Sequence, residues 1–171
     1  MSRRKMNIVF IGFMGSGKSS TSKYLAKLLK RKVFSTDQLI VKKEKRSIAR
    51  IFSEEGEPYF RKLEERTVAQ IANKKNIIID CGGGIVLNPK NIKRLKKNGI
   101  LIYLKTSPEW IWRRVLKTKR RPLLSVENPQ KKIRELLKRR KSLYAQANVT
   151  IVTDAKTPGQ VATKVKEKLK L

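Results

Sequence analysis

Five short runs of apolar, mostly β-branched residues punctuate the chain: 7–11, a weaker one at 32–34, then 76–80, 99–104 and 149–152. Each is nearly continuous rather than alternating, the pattern of strands buried on both faces of a parallel sheet. Between them the apolar positions recur at helical spacing. Residues 18–30 place Tyr24, Leu25, Leu28 and Leu29 on one side, and residues 59–72 place Phe60, Leu63, Thr67 and Ile71 on another.

Four of the six prolines follow a good helix N-cap: Asn88-Pro89, Ser107-Pro108, Asn128-Pro129 and Thr157-Pro158. The cap side chain accepts an orphan backbone N–H, and proline suits the first helical position because its missing N–H is no loss there. Helices are therefore predicted to start near 89, 108, 129 and 158, and Thr157-Pro158-Gly159-Gln160 fits a capping box. Strand and helix alternate along the chain, which predicts a three-layer α/β/α domain with right-handed crossovers spanning residues 1–171. Residues 117–128 form a long polar, proline-containing stretch without strand character, a candidate lid.

The 171 residues carry 43 Lys plus Arg against 13 Asp plus Glu, a net charge of +30, with one Cys and no His. The lack of His excludes Ser-His-Asp and Cys-His catalysis, and a single Cys excludes a disulfide framework. No apolar run approaches the ~20 residues that span a bilayer. The N-terminus does not read as a signal peptide, so the expectation is no membrane and a cytoplasmic location. So large a charge attracts anions. The basic residues alternate with apolar ones at helical spacing and read mainly as solvated helix faces. Nucleic acid is thus an admissible but disfavoured partner.

Gly12-Phe13-Met14-Gly15-Ser16-Gly17-Lys18-Ser19 matches G-x-x-x-x-G-K-[ST] between a predicted strand and a predicted helix, the setting of a P-loop. Gly12, Gly15 and Gly17 let phosphates reach the backbone N–H groups, together with Ser16 and Ser20, at a helix N-terminus. Lys18 is placed to bridge the β- and γ-phosphates and Ser19 to ligate Mg²⁺. The expected co-substrate is ATP. GTPase base-reading signals of the Asn-Lys-x-Asp type are absent.

From Ile8 to about Val165 the chain resembles the bacterial and plant shikimate kinase family. The resemblance rests on the P-loop, Ser35-Thr36-Asp37, Phe60-Arg61-x-x-Glu64, Gly82-Gly83-Gly84, and Arg121-Pro122-Leu123-Leu124 followed by Arg139-Arg140-x-x-x-Tyr144. It implies a P-loop kinase fold with a five-stranded parallel sheet of order 2-3-1-4-5. The implied reaction moves the ATP γ-phosphoryl group to the 3-hydroxyl of shikimate, a step in aromatic amino acid biosynthesis. Arg61 and Arg140 then match the arginines that bind the substrate carboxylate, and Asp37 the carboxylate that binds ring hydroxyls and orients or deprotonates the attacking oxygen. Gly82, Gly83 and Gly84 offer backbone to the substrate. Lys18 and Arg121, the latter in the predicted lid, stabilise the transferring phosphoryl group, and Arg114 and Pro158 flank the adenine. A monomer is the default expectation.

The residues alone leave plainer roles open. Arg61 can pair along its helix with Glu64 or Glu65, Asp37 can cap a helix, Gly82–Gly84 can be a turn, and Asp80 can pair with a basic side chain. A gluconate- or nucleotide-type kinase and a basic RNA-binding P-loop module are the rival readings. One departure stands out. The family pattern is Asp-x-Asp where this chain has Ser35-Thr36-Asp37, so the first carboxylate, which helps hold Mg²⁺ through water, is replaced by a hydroxyl. Residues 76–80 end in Asp80, the form of a Walker B strand. The expectation is that Asp80 takes over the metal role and that Ser35 contributes weakly through water. Cys81 reads as an inert strand-end residue. Trp110 and Trp112, two apart on one helix, are expected to be one core residue and one partly exposed.

Overall fold

The computed structural model describes residues 5–116, 124 and 126–171. Its strands are β1 (Asn7–Ile11), β2 (Val33–Ser35), β3 (Ile78–Asp80), β4 (Gly99–Lys105) and β5 (Val149–Val152). They form one parallel sheet of order β2-β3-β1-β4-β5. Its helices are α1 (Lys18–Leu29), α2 (Thr36–Glu44), α3 (Ile48–Ile71), α4 (Pro89–Asn98), α5 (Pro108–Leu116), α6 (Pro129–Tyr144) and α7 (Pro158–Leu169). The predicted fold class and strand order are both observed.

Strand residues alternate between two cores. Ile8, Phe10, Ile78, Ile102 and Leu104 face one side, where Leu25 of α1 and Val161, Ala162, Val165 and Leu169 of α7 cover them. Val9, Ile11, Ile79 and Leu101 face the other, against Val68 and Ile71 of α3, Ile92 and Leu95 of α4, and Tyr144 of α6. This two-residue period places helices on both faces and explains why each strand reads as uninterruptedly apolar. The prolines start α4, α6 and α7 as expected, each behind an Asn or Thr whose side chain accepts a backbone N–H, and Thr157 with Gln160 completes the capping box. Each cap contributes about 1 kcal/mol.

Three local expectations are corrected. On α1, Tyr24 and Leu28 are exposed (53% and 47%), and the buried face is Lys18, Thr21, Ser22 and Leu25. The helix is turned so that its first turn faces the P-loop, which places polar side chains inside. The helix expected at 59–72 is the second half of α3, which starts at Ile48 and breaks at Gly56 (φ 80°, ψ 172°) just before Pro58. Of the tryptophans neither is core: Trp110 and Trp112 are both half-buried, while Ile111 and Val115 fill the interior of α5.

The α2–α3 elbow closes over its own small core of Ile40, Ile51, Phe60 and Leu63. Outside it, Arg46 gathers Glu44, Glu54 and Glu55 at 2.8–3.0 Å. No helix among the described residues is long and apolar enough to cross a membrane.

Candidate active site

In an open parallel sheet, ligands bind beyond the carboxyl ends of the strands, where the strand order reverses. Here that edge collects the loop after β1, the β2–α2 junction, the end of β3 and the segment after β5. Two cavities meet there. One of about 490 Å³ is lined by residues 14–21, Ser35, Asp37, Gln38, residues 80–83, Arg114, Thr153, Lys156, Pro158 and Val161. The other, of about 390 Å³, lies between the elbow and α6 and includes Val41, Ile48, Phe52, Phe60, Arg61, Glu64, Gly84 and Arg140. Met14, Asp37, Gly82 and Gly83 line both.

The first cavity is built around the P-loop. Gly12 turns with φ 148°, and a Cβ there would stand 2.8 Å from the Leu104 carbonyl oxygen, so only glycine lets the loop lie against β4. Lys18 is buried and its ammonium donates to the Gly12 and Phe13 carbonyls at 2.9 Å each. Ser16 Oγ is buried with no hydrogen-bond partner among the described residues, a donor held for a ligand. Arg114 spans the mouth. It donates to the Gly15 carbonyl (3.3 Å) and to both the hydroxyl and the carbonyl of Thr153, and its guanidinium lies 5.7 Å from the Trp110 ring centre. Pro158 and the exposed Ser19 and Ser20 complete the wall.

Asp80 ends β3 beneath this loop. Register pairs it with Phe10 on one side and Ser35 on the other. It is 6% exposed, and burial raises its carboxyl pKa while a hydrogen bond with Ser19 and the nearby Lys18 charge hold the rise back. Ser35 caps α2, its hydroxyl accepting from Gln38 N at 3.4 Å. The cap is therefore Ser35 and not Asp37, and Asp37 lines both cavities. Both strand ends offer oxygen only, and no cluster of three or more His, Cys, Asp or Glu occurs among the described residues. One carboxylate with hydroxyls, open toward a phosphate-binding loop, suits a hard dication that arrives with phosphate oxygens and water.

The second cavity is lined by charge set in an apolar wall. Arg140 is 5% exposed, donates to the Gly83 carbonyl (3.1 Å) and stacks 5.7 Å from the Phe13 ring centre. Arg139 is exposed. Tyr144 OH also donates to Gly83 O (3.2 Å), its ring stacks on Tyr103, and burial pushes its phenol up to about 12. Thr36 Oγ1 accepts from Gly82 N at 2.8 Å and so ties α2 to the glycine loop. A Cβ on Gly82 would fall 2.5 Å from Asp37 Oδ1 and 2.9 Å from Glu64 Oε1. Arg61 pairs with both Glu57 and Glu64, whereas Glu65 turns away to Arg94 and Asn88. Burial lowers the Arg61 pKa, but Glu64 and Glu57 outweigh it and leave the guanidinium above its ordinary value.

Glu64 is the titratable group that sequence reasoning undervalued. It is 1% exposed, and Oε1 is buried without a hydrogen-bond partner among the described residues. Burial raises its pKa to about 7; Arg61 opposes this, and the Asp37 and Glu57 charges add to it. Its helical spacing from Arg61 was the available signal. Cys81 is buried and its thiol pKa is raised by burial, consistent with an inert residue. Arg121 and most of the candidate lid at 117–128 lie outside the described residues.

The chain matches the family model described as shikimate kinase over residues 14–170. It is 49% identical to the shikimate kinase of Caldanaerobacter subterraneus subsp. tengcongensis over 159 residues, 93% of each chain. It is 45% identical to that of Thermodesulfovibrio yellowstonii, over 93% of this chain and 92% of the relative. The structure of Acinetobacter baumannii shikimate kinase in complex with shikimate superposes with a TM-score of 0.93 at 37% identity, covering 96% of this chain and 93% of that one. A gluconokinase from Sinorhizobium meliloti, at 16% identity and a TM-score of 0.66, shares the fold alone. With a P-loop on one side of Asp37 and paired arginines on the other, and with this likeness along almost its whole length, the chain belongs to the shikimate kinase family.

Proposed function

We propose that the protein transfers the γ-phosphoryl group of ATP to the 3-hydroxyl of shikimate, giving ADP and shikimate 3-phosphate. The observation that carries this reading is the meeting of two cavities at Asp37, one floored by Lys18 and the other holding Arg61 and Arg140. Shikimate is a carboxylate bearing three hydroxyls. Paired guanidinium groups suit the carboxylate, since each presents charged N–H donors in a fixed plane. Asp37 suits a ring hydroxyl, accepting its hydrogen bond and receiving or directing its proton as the oxygen attacks. The backbone of Gly82, Gly83 and Gly84 lies beside the substrate with no side chain between.

On the nucleotide side, the backbone N–H groups from Gly12, Gly15 and Gly17 to Ser20, with the Ser16 hydroxyl, cradle the phosphates. Lys18 offsets charge that builds on the transferring group. Arg114 and Pro158 face the adenine. Arg121 and the lid of residues 117–128 close over the phosphates in this reading and exclude water. Ser19 and Asp80 would hold Mg²⁺, with Ser35 contributing weakly through water, and a bound dication would supply charge neutralisation for the phosphate oxygens. The protein acts as a monomer on small anionic substrates, and its +30 charge draws them in.

The test is ADP release by the purified protein with ATP and Mg²⁺, with and without shikimate. Release that depends on shikimate supports the proposal. Release with gluconate or a nucleoside monophosphate but not with shikimate overturns it.

A further inference from the structure

Arg61 carries five N–H donors in one plane. In this structure Nε and Nη2 both donate to Glu57 Oε1, at 3.0 and 2.6 Å, and Nη1 donates to Glu64. Three donors are thus engaged among the described residues, leaving one there on each terminal nitrogen. The guanidinium also lies flat on Gly84: a Cβ there would stand 2.6 Å from both Cζ and Nη2. Arg61 is therefore bounded on its lateral edge, at Nη1 and across one face.

The two carboxylates differ in kind. Glu64 is buried in the second cavity, whereas the Glu57 side chain is 46% exposed and does not line that cavity. Glu57 stands between the break at Gly56 and Pro58, where the second half of α3 begins, one turn before Arg61. A solvated carboxylate outside the cavity gains little from the ion pair itself. Its geometric effect is larger, because it occupies the lateral edge of Arg61, a cavity-lining residue, without lining the cavity itself.

We infer that Glu57 is a positioning residue for substrate binding. Its carboxylate clamps the lateral edge of Arg61, so that the two remaining N–H groups are presented to the carboxylate of an incoming substrate. This rests on the proposed reading of the second cavity as the shikimate site. Because two donors remain, the substrate binds without displacing Glu57, and the clamp needs an acceptor oxygen rather than a charge. An amide oxygen can serve; a methyl group cannot.

The experiment compares the wild type with Glu57→Ala and Glu57→Gln. Three quantities are read: KM for shikimate, KM for ATP, and the Arg61 Nε–H resonance in the free protein, assigned with Arg61→Lys. Glu57→Ala is expected to raise KM for shikimate on the order of tenfold, since small misplacements of a binding group are costly. KM for ATP stays within twofold, and Glu57→Gln recovers most of the loss. The Nε–H signal is protected from solvent exchange in the wild type and in Glu57→Gln, and loses protection in Glu57→Ala. The inference is overturned if Glu57→Ala leaves KM for shikimate unchanged or lowers it, as a competing carboxylate would. It is equally overturned if Glu57→Gln is as damaging as Glu57→Ala. Should the wild type show no shikimate-dependent turnover, the functional reading fails instead. The clamp is then judged by the resonance alone, and unaltered protection in Glu57→Ala refutes it.

Discussion

Ser35 and Asp80 are register partners on adjacent parallel strands. Asp80 lies two residues after Ile78 on the same strand, so its side chain faces the α1 layer, where Ser19 meets it. Side chains paired in register share a face of the sheet, so a carboxylate absent from β2 and present on β3 is displaced by one strand, about 5 Å. The Ser35 hydroxyl is meanwhile engaged as the α2 cap. Asp80→Asn is therefore expected to raise the Mg²⁺ concentration for half-maximal rate by about tenfold, and to weaken Mn²⁺ binding to the nucleotide-loaded protein by a similar factor. Ser35→Ala should change either quantity no more than about twofold, while lowering stability by about 1 kcal/mol through loss of the cap. Equal effects of the two substitutions on metal binding would refute the assignment.

Glu64 gives a signed pH dependence. Its pKa in the folded protein is about 7, above its ordinary carboxylate value, chiefly because of burial. Between those two values the folded state holds the proton that the unfolded state has released. Its contribution is thus present at low pH and is lost as pH rises through about 7. Thermal unfolding measured from pH 5 to pH 8 should show a fall in Tm that Glu64→Gln reduces. An identical slope in the variant would place the titration elsewhere.

Gly84 has φ −100° and ψ 1°, a conformation open to any residue. Its requirement for glycine is therefore steric: a Cβ would overlap the Arg61 guanidinium. Because that guanidinium ends a flexible side chain, Gly84→Ala should fold normally and push Arg61 aside. KM for shikimate should rise by an order of magnitude or more with KM for ATP little changed. A matching rise in both constants would indicate a wider rearrangement of the glycine loop.

Trp110 reports on the nucleotide cavity. Its ring lies 5.3 Å from the Arg113 guanidinium and 5.7 Å from that of Arg114, the residue that reaches across to Gly15 and Thr153. ADP entering beside Arg114 should change the indole fluorescence. The change should persist in Trp112→Phe and vanish in Trp110→Phe. The reverse pattern would remove Arg114 from the nucleotide wall.

The strands and the P-loop were legible because each is specified locally: buried strands by unbroken apolar runs, the loop by three glycines, a lysine and a serine in fixed order. The elbow was not. In α2, Leu39, Ile40 and Val41 are consecutive, so no helical stripe appears, and among the three only Ile40 is fully buried. In α3, Gly56 and Pro58 read as a stop, although the chain resumes a helix directly after them. For the site, Asp37, Arg61 and Arg140 came from alignment to a family pattern, and periodicity singled out none of them. Glu57, four residues before Arg61, was missed as its partner because the predicted helix began at 59 and left it outside, whereas α3 runs through it.

The wall shared by the two cavities has a thermodynamic consequence. Met14, Asp37, Gly82 and Gly83 belong to both. A molecule resting on one side restrains the same few residues that the molecule on the other side must find in place. Affinity for each substrate should then depend on occupancy by the other, by one and the same factor in either order of addition. Asp37 and the glycine loop would thus act as a joint between two binding equilibria, as well as a floor for one reaction.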